Sequence, residues 1–174
     1  MTLLLKQIFA FLKLLNSDTG TRELALGLAL GMVLGFSPFL SLQTFVVIFL
    51  CFFLRIQLGA AFLSAFFFKL MAYLIDPVAD QLGRAVLESD SLRSVFVEMY
   101  NLPIVPWTRF NNSIVMGSGL IGFILVIPGY FLFKVAIVKY RQKILSKFEK
   151  TKFWKAVKAT AFYKWYATYN NLYG

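Results

Sequence analysis

Apolar positions in this chain come in blocks divided by short polar punctuation, and the block lengths predict helices of unequal reach. In "MTLLLKQIFAFLKLLNSD", Lys6 and Lys13 cut the first block at helical spacing, which sets Thr2, Lys6 and Lys13 on one wet face. Residues 1–17 therefore read as an amphipathic helix lying on a membrane surface. A secretory leader would need an uninterrupted apolar core and a small-x-small cleavage site. Asp18 or Thr19 can cap the next helix, and Glu23 suits its positive end. The apolar run Leu24 to Phe36 has 13 residues, roughly 20 Å as a helix, whereas a full crossing takes about 20 residues. Pro38 breaks it within "SPFLSLQT". A second short run, Phe45 to Leu54, ends at Arg55. Two short pieces joined by a polar turn predict a helical hairpin over 23–55 that either dips into the bilayer and returns or crosses thinned lipid.

Later blocks are longer. Residues 56–75 reach across a bilayer, and Asp76-Pro77 is expected to end that span. Positions 76–112 are mostly polar and mildly acidic, forming an external loop in which Pro103, Pro106 and Trp107 suit an interfacial approach. Residues 113–138 are the clearest span, with a bend expected at Pro128-Gly129. The tail 139–174 is basic. Ile144, Phe148, Trp154, Val157, Ala161 and Trp165 recur there near helical spacing, and Lys147, Trp154, Lys155, Lys158 and Trp165 are the expected membrane-surface anchors. The predicted fold class is all-α: a polytopic helical membrane protein with a short Gly/Pro-broken hairpin, two spanning helices and amphipathic terminal helices.

Composition agrees with that pattern. Hydrophobic residues make up 59% of the 174 and charged residues 15%, and the mean hydropathy of +0.71 lies outside the balance of soluble domains. Net charge is +10, with ten of the 18 Lys and Arg at or after Lys134. That asymmetry carries orientation: the positive-inside rule puts the tail in the cytoplasm, the acidic loop outside and the N-terminus in the cytoplasm. Basic residues interleaved with aromatics also occur in proteins that bind single strands, but attachment to a spanning helix makes lipid the expected surface and nucleic acid not a partner.

Chemistry is scarce. There is no histidine, which removes the commonest general base and metal ligand, and Cys51 alone can form neither an intrachain disulfide nor a metal cluster. No metal site and no cofactor are expected. "GSGLIG", Gly117 to Gly122, matches the letters of a dinucleotide fingerprint but lies inside the longest apolar run, with no preceding strand and no following acid. It reads as a small-residue packing face. Gly27, Gly31 and Gly35 share one helical stripe. Each glycine costs about 1 kcal/mol against alanine, so the stripe serves close helix packing or, as the functional reading, a groove for a lipid chain or a foreign helix. Lys69 stands among phenylalanines at membrane depth, where a charge is expensive and often functional. It either snorkels to a phosphate or meets a partner carboxylate or a lipid headgroup. Asp76, two turns away, is too far for a direct ion pair. Ser41, Gln43 and Thr44 either satisfy backbone freed by Pro38 or line a small polar cavity.

The stretch "ALGLALGMVLGFSPFLSLQTFVVIFLCFFLRIQLGAAFLSAFF" resembles a bacterial inner-membrane family known as domain of unknown function 2062. Its pattern is a Gly-rich run ending G-F-x-P, then Gln or His followed by Thr, an apolar stretch, and Leu-Arg before a polar residue. Gly31, Gly35, Phe36, Pro38, Gln43, Thr44, Leu54, Arg55 and Gln57 match it, and Pro77 and Gly83 fit its later part. Where the family commonly has Asn-Pro, this chain has Phe68-Lys69. The resemblance covers roughly Ala25 to Leu87. It implies a membrane companion of a large envelope lipid-transfer protein and not an enzyme; the partner's transmembrane segment is the expected point of binding. On this basis the expected function is a non-catalytic inner-membrane subunit whose hairpin offers a docking or lipid-access groove. The expected site residues are Gly27, Gly31, Gly35, Pro38, Gln43, Thr44, Lys69 and Asp76. A small transporter or channel built from the hairpin and Lys69 is the rival, and a lipid enzyme using Asp76, Asp80 or Gln43 a distant third. Homo-oligomerisation is left open.

Overall fold

The computed structural model describes residues 3–145. All regular structure among them is helical: α1 (Leu3–Leu15), α2 (Thr21–Phe36), α3 (Leu42–Phe53), α4 (Leu58–Leu87), α5 (Arg93–Asn101) and α6 (Ser113–Lys139), with 3-10 turns at Asp90–Leu92 and Val105–Thr108 and a π turn at Tyr140–Leu145. Both α4 and α6 are long and apolar enough to cross a membrane, and α3 is a shorter apolar helix. The chain divides into two units after Val135. In the second, the described part is the end of α6 and the π turn. The expected tail anchors Lys147, Trp154, Lys155, Lys158 and Trp165 lie outside the described residues.

Within the first unit α2 is the central helix. It is apolar all round, as a helix must be to be covered on every side, and nearly every residue from Leu24 to Phe36 is buried. Its cap is Gly20 rather than Asp18 or Thr19. Ser17 Oγ donates to the Leu14 carbonyl at 2.7 Å and to Thr19 Oγ1 at 3.0 Å, so these polar residues close α1 instead of opening α2.

The glycine stripe faces α4. A Cβ on Gly27 would stand 2.6 Å from the Gln57 carbonyl, one on Gly31 would press on the Ala61 carbonyl and lie 2.7 Å from Ser64 Cβ, and one on Gly35 would lie 2.5 Å from Phe68 Cβ and 3.0 Å from Lys69 N. These contacts advance together along both helices, so α2 and α4 run parallel. The chain must therefore come back between them, and α3 brings it back: Gln57 N donates to the Glu23 carbonyl at 3.2 Å, which places the start of α4 beside the start of α2. Ser64 Oγ adds a 2.7 Å bond to the Leu28 carbonyl. Leu30 and Val33 of α2 meet Val47 of α3, with Cys51, Ile56 and Val126 around them.

Antiparallel to both α2 and α4, α6 uses its glycines in turn. A Cβ on Gly117 would collide with the Ala79 carbonyl of α4, one on Gly119 would meet the Gln43 amide of α3 at 3.2 Å, and one on Gly122 would meet Val33 of α2 at 3.0 Å. The "GSGLIG" glycines are thus the points at which one helix approaches three others.

Two expectations need correction. Helix α4 does not stop at Asp76-Pro77 but continues through Pro77 to Leu87. Proline removes one backbone bond and crowds the preceding turn, a penalty of about 3 kcal/mol. Beyond it, Gly83 packs against the Ser113 carbonyl and Asp80 accepts hydrogen bonds from Ser113 Oγ and from Arg84 Nε (3.0 Å). Packing of α4 on α6 therefore carries the helix past its weak point. The segment 76–112 is accordingly no simple loop: it holds the end of α4, then α5 and two 3-10 turns. Arg109 takes a left-handed φ of 55° where the second 3-10 turn ends, and Asn112 Oδ1 then caps α6 by accepting from Val115 N at 3.1 Å.

Large apolar surfaces remain uncovered. Phe45, Phe49, Phe52 and Phe53 of α3, Phe62, Tyr73 and Leu74 of α4, and Ile124, Ile127 and Leu132 of α6 are all exposed, an extent foreign to a protein facing water on every side.

Candidate functional site at the broken helix

α2 ends where its sequence turns to Ser37-Pro38. Proline cannot continue the hydrogen-bond ladder and pushes the residue before it into extended backbone, and Ser37 duly adopts φ −80°, ψ 142° as the C-cap. The freed groups are then taken up locally. Thr44 Oγ1 donates to the Pro38 carbonyl at 3.0 Å, Ser41 Oγ shares a hydrogen bond with Thr44 Oγ1 at 2.9 Å, and Ser41 caps α3 by accepting from Thr44 N at 3.4 Å. Pro38 and Thr44 thus hold the turn together. Its tip carries Phe39, 83% exposed, with Leu40 beside it.

Lys69 completes this seam from α4. Its Nζ donates to the Ser37 carbonyl at 3.1 Å, so a cation stands at the negative end of α2, where it is favoured by roughly 0.3–1 kcal/mol or more when partly buried. Gly35 makes this reach feasible by letting the α2 backbone approach Lys69 N. Phe36 and Phe68 close the layer edge to face, with ring centroids 5.2 Å apart. Ser37 is 2% exposed, and its hydroxyl oxygen has no hydrogen-bond partner among the described residues. Asp76 makes no ion pair with Lys69.

Gln43 points the other way. Its Nε2 donates to the Val115 carbonyl of α6 at 2.7 Å, and Gly119 leaves room for the amide. Gln43 lines a cleft of about 180 Å³ with Leu42, Val46, Met99, Met116 and Leu120, whose other walls are apolar. The cleft can accept hydrocarbon and offers one amide for orientation.

The expected site residues therefore separate. Pro38, Thr44 and Lys69 come together at the turn, Gln43 faces the α3–α6 cleft, and Asp76 stands apart. Gly27, Gly31 and Gly35 line no opening: the groove expected on them is filled by α4, because a helix running parallel to α2 takes the very stripe that the glycines clear. Ser37 is the member that sequence reasoning passed over. Its only signal was its place just before a proline that ends a helix, which marks a C-cap carbonyl in need of a donor.

The profile of a family described as "Uncharacterized protein conserved in bacteria (DUF2062)" matches residues 7–145, nearly all of the described helices. The chain belongs to this family. Membership extends well beyond the stretch Ala25 to Leu87 on which the resemblance was first visible, taking in most of α1, all of α5 and α6 and the turn that follows. A relative from Treponema pallidum (strain Nichols), itself called "Uncharacterized protein", is 28% identical over 144 residues, covering 83% of this chain and 89% of the relative. No solved structure matches the chain.

Replacing the lysine tests the seam. Lys69→Met removes a charged hydrogen bond worth about 1.5–3 kcal/mol but also removes a cation from apolar surroundings, so global stability should change little. The last turn of α2 should loosen: the amides of Gly35, Phe36 and Ser37 are expected to exchange about tenfold faster, equivalent to about 1.4 kcal/mol. Hydrogen exchange with mass spectrometry reads this directly.

Proposed function

We propose that the protein is a non-catalytic, multi-pass subunit of the bacterial inner membrane, with both termini cytoplasmic, that receives the transmembrane segment of an envelope lipid-transfer protein. One observation carries the reading: α2 runs parallel to α4 and stops beside Lys69, so α2, the Ser37–Ser41 turn and α3 form a hairpin that goes partway along α4 and returns. Arg22, Glu23, Arg55 and Gln57 mark the level at which that hairpin begins and ends. Lys69 lies 11 residues from Leu58, about 17 Å along α4, near the middle of a hydrocarbon core about 30 Å thick. A hairpin that goes halfway in leaves the outer half of α4 without that neighbour.

Orientation follows from charge. Arg22 and Arg55 stand on the side from which α2 and α4 start, and antiparallel α6 carries Lys134 back toward it. The positive-inside rule makes that side cytoplasmic. With the glycine stripe closed, the docking surface moves to the uncovered stripe of α4 that contains Phe62, Phe66, Lys69 and Tyr73, while the Gln43 cleft is left to an acyl chain. The class of partner comes from the family resemblance.

A photoreactive residue placed at Phe62, with Ile127 as a control on α6, tests this in native membranes. The expected result is an adduct from Phe62 that maps within the transmembrane segment of a large envelope protein, and lipid adducts alone from Ile127. Lipid adducts alone from both positions would remove the docking role. A transporter is the second reading, favoured by a helix that ends in mid-span beside a lysine. Substrate flux in liposomes holding only this protein, lost in Lys69→Met, would put it first.

A further inference from the structure

We infer that Lys69 recognises a carboxylate set in the middle of a partner's transmembrane helix; this rests on the docking role proposed above and names the chemistry of the helix that docks. The ammonium has three N–H donors. One is used by the Ser37 carbonyl, and no other partner of Lys69 is found among the described residues. The Ser37 carbonyl and the negative end of α2 offset only part of the charge, and a lysine at the centre of a spanning helix is costly.

Position decides between the sources of a counter-charge. Lys69 is about 17 Å along α4 from Leu58 and about 10 Å from Asp76, and the side chain is committed to the end of α2, so its ammonium is not extended toward headgroups at either face. Helical side chains also lean toward their own N-terminus, here toward the more distant face. A second copy of this chain cannot supply the anion at this depth. No Asp or Glu occurs between Glu23 and Asp76, and none occurs from Ser113 to Lys139.

The surroundings fit a helix. Phe62, Phe66, Lys69 and Tyr73 fall on one stripe of α4 at spacings of four, three and four. Phe62 is 67% and Tyr73 77% exposed, and Phe66 is half-buried. This is an apolar track with one cation at its midpoint, and its complement is an apolar helix with one acid at its midpoint. Beside it the buried Ser37 hydroxyl, which has no hydrogen-bond partner among the described residues, belongs to the same polar seam.

The test uses three polyleucine transmembrane peptides of about 22 residues, carrying one central Glu, one central Gln or no polar residue. Each is titrated in phosphatidylcholine vesicles against the full-length, fluorescently labelled protein, with energy transfer as the readout. The Glu peptide is expected to bind at least tenfold tighter than the Gln peptide. Lys69→Met should abolish that preference and Lys69→Arg should keep it, so the pair separates charge from folding damage, and the comparison of peptides on the unaltered protein needs no variant. Equal binding of the Glu and Gln peptides would overturn the inference. So would a spin-labelled phosphatidylglycerol that associates with the unaltered protein but not with Lys69→Met, with no peptide preference, since Lys69 would then serve a headgroup. Either outcome alongside a mapped protein adduct from Phe62 fells the carboxylate alone; loss of that adduct fells the docking role itself.

Discussion

Gly31→Leu should leave little recoverable folded protein. Even a single Cβ at this position would press on the Ala61 backbone carbonyl and lie 2.7 Å from Ser64 Cβ, and backbone in the middle of a helix cannot swing aside as a flexible side chain can. For Gly31→Ala the gain in helix propensity is about 1 kcal/mol, against an overpacking penalty of about 1–3 kcal/mol, so a modest net loss is expected. Leucine cannot be accommodated unless α2 and α4 separate, and separation also takes away the Ser64–Leu28 and Lys69–Ser37 hydrogen bonds. The sum exceeds about 4 kcal/mol, a size seen when a core contact is destroyed. Phe52→Leu, at a side chain 80% exposed, should stay within about 0.5 kcal/mol. Thermal unfolding in detergent, followed by circular dichroism and size-exclusion profile, compares the three variants. A Gly31→Leu protein as stable as Phe52→Leu would show that the stripe does not hold α2 to α4.

The second large effect is expected at Gly117→Leu. This glycine meets the Ala79 carbonyl where α6 crosses α4, close to the Ser113–Asp80 contact. Without that packing nothing offsets the penalty of about 3 kcal/mol that Pro77 imposes on a continuous helix. Residues 78–87 should then fray, which returns the helix end to Asp76-Pro77. Amide protection across that segment is predicted to fall at least a hundredfold, equivalent to about 3 kcal/mol, while the amides of α2 between Leu24 and Val33 stay protected. Unchanged protection of residues 78–87 would mean that α4 is straight for a local reason and that the "GSGLIG" glycines are not its support.

Much of the helical framework was legible because the signals are local. The bounds of α1, α2, α3 and α6 follow from apolar block lengths and from the break at Pro38, each set within a few residues of where it acts. The "GSGLIG" stretch was readable as packing rather than phosphate binding for the same reason, since its flanks are apolar on both sides. What covers a glycine stripe is a different kind of fact. Gly27, Gly31 and Gly35 mark a place where backbone comes close, but residues 57–69, which come close, are some 30 positions away, and nothing in the stripe distinguishes them from a lipid or a foreign helix. The Lys69–Ser37 bond, 32 residues apart, was hidden in the same way. Lys69 looked unpaired because its acceptor is a backbone carbonyl, and every residue type carries one.

Taken alone, the order of residues determined the class of the molecule: helices of these lengths, two of them able to cross a membrane, and a break at Pro38, because hydrophobic periodicity and proline act on the nearest turns of chain. Tertiary structure decided the rest. The parallel course of α2 and α4, the closing of the glycine stripe, the passage of α4 through Pro77 and the seat of Lys69 on the end of α2 all depend on which helix lies against which, and that choice is made by shape and hydrogen-bond demand between segments far apart in sequence.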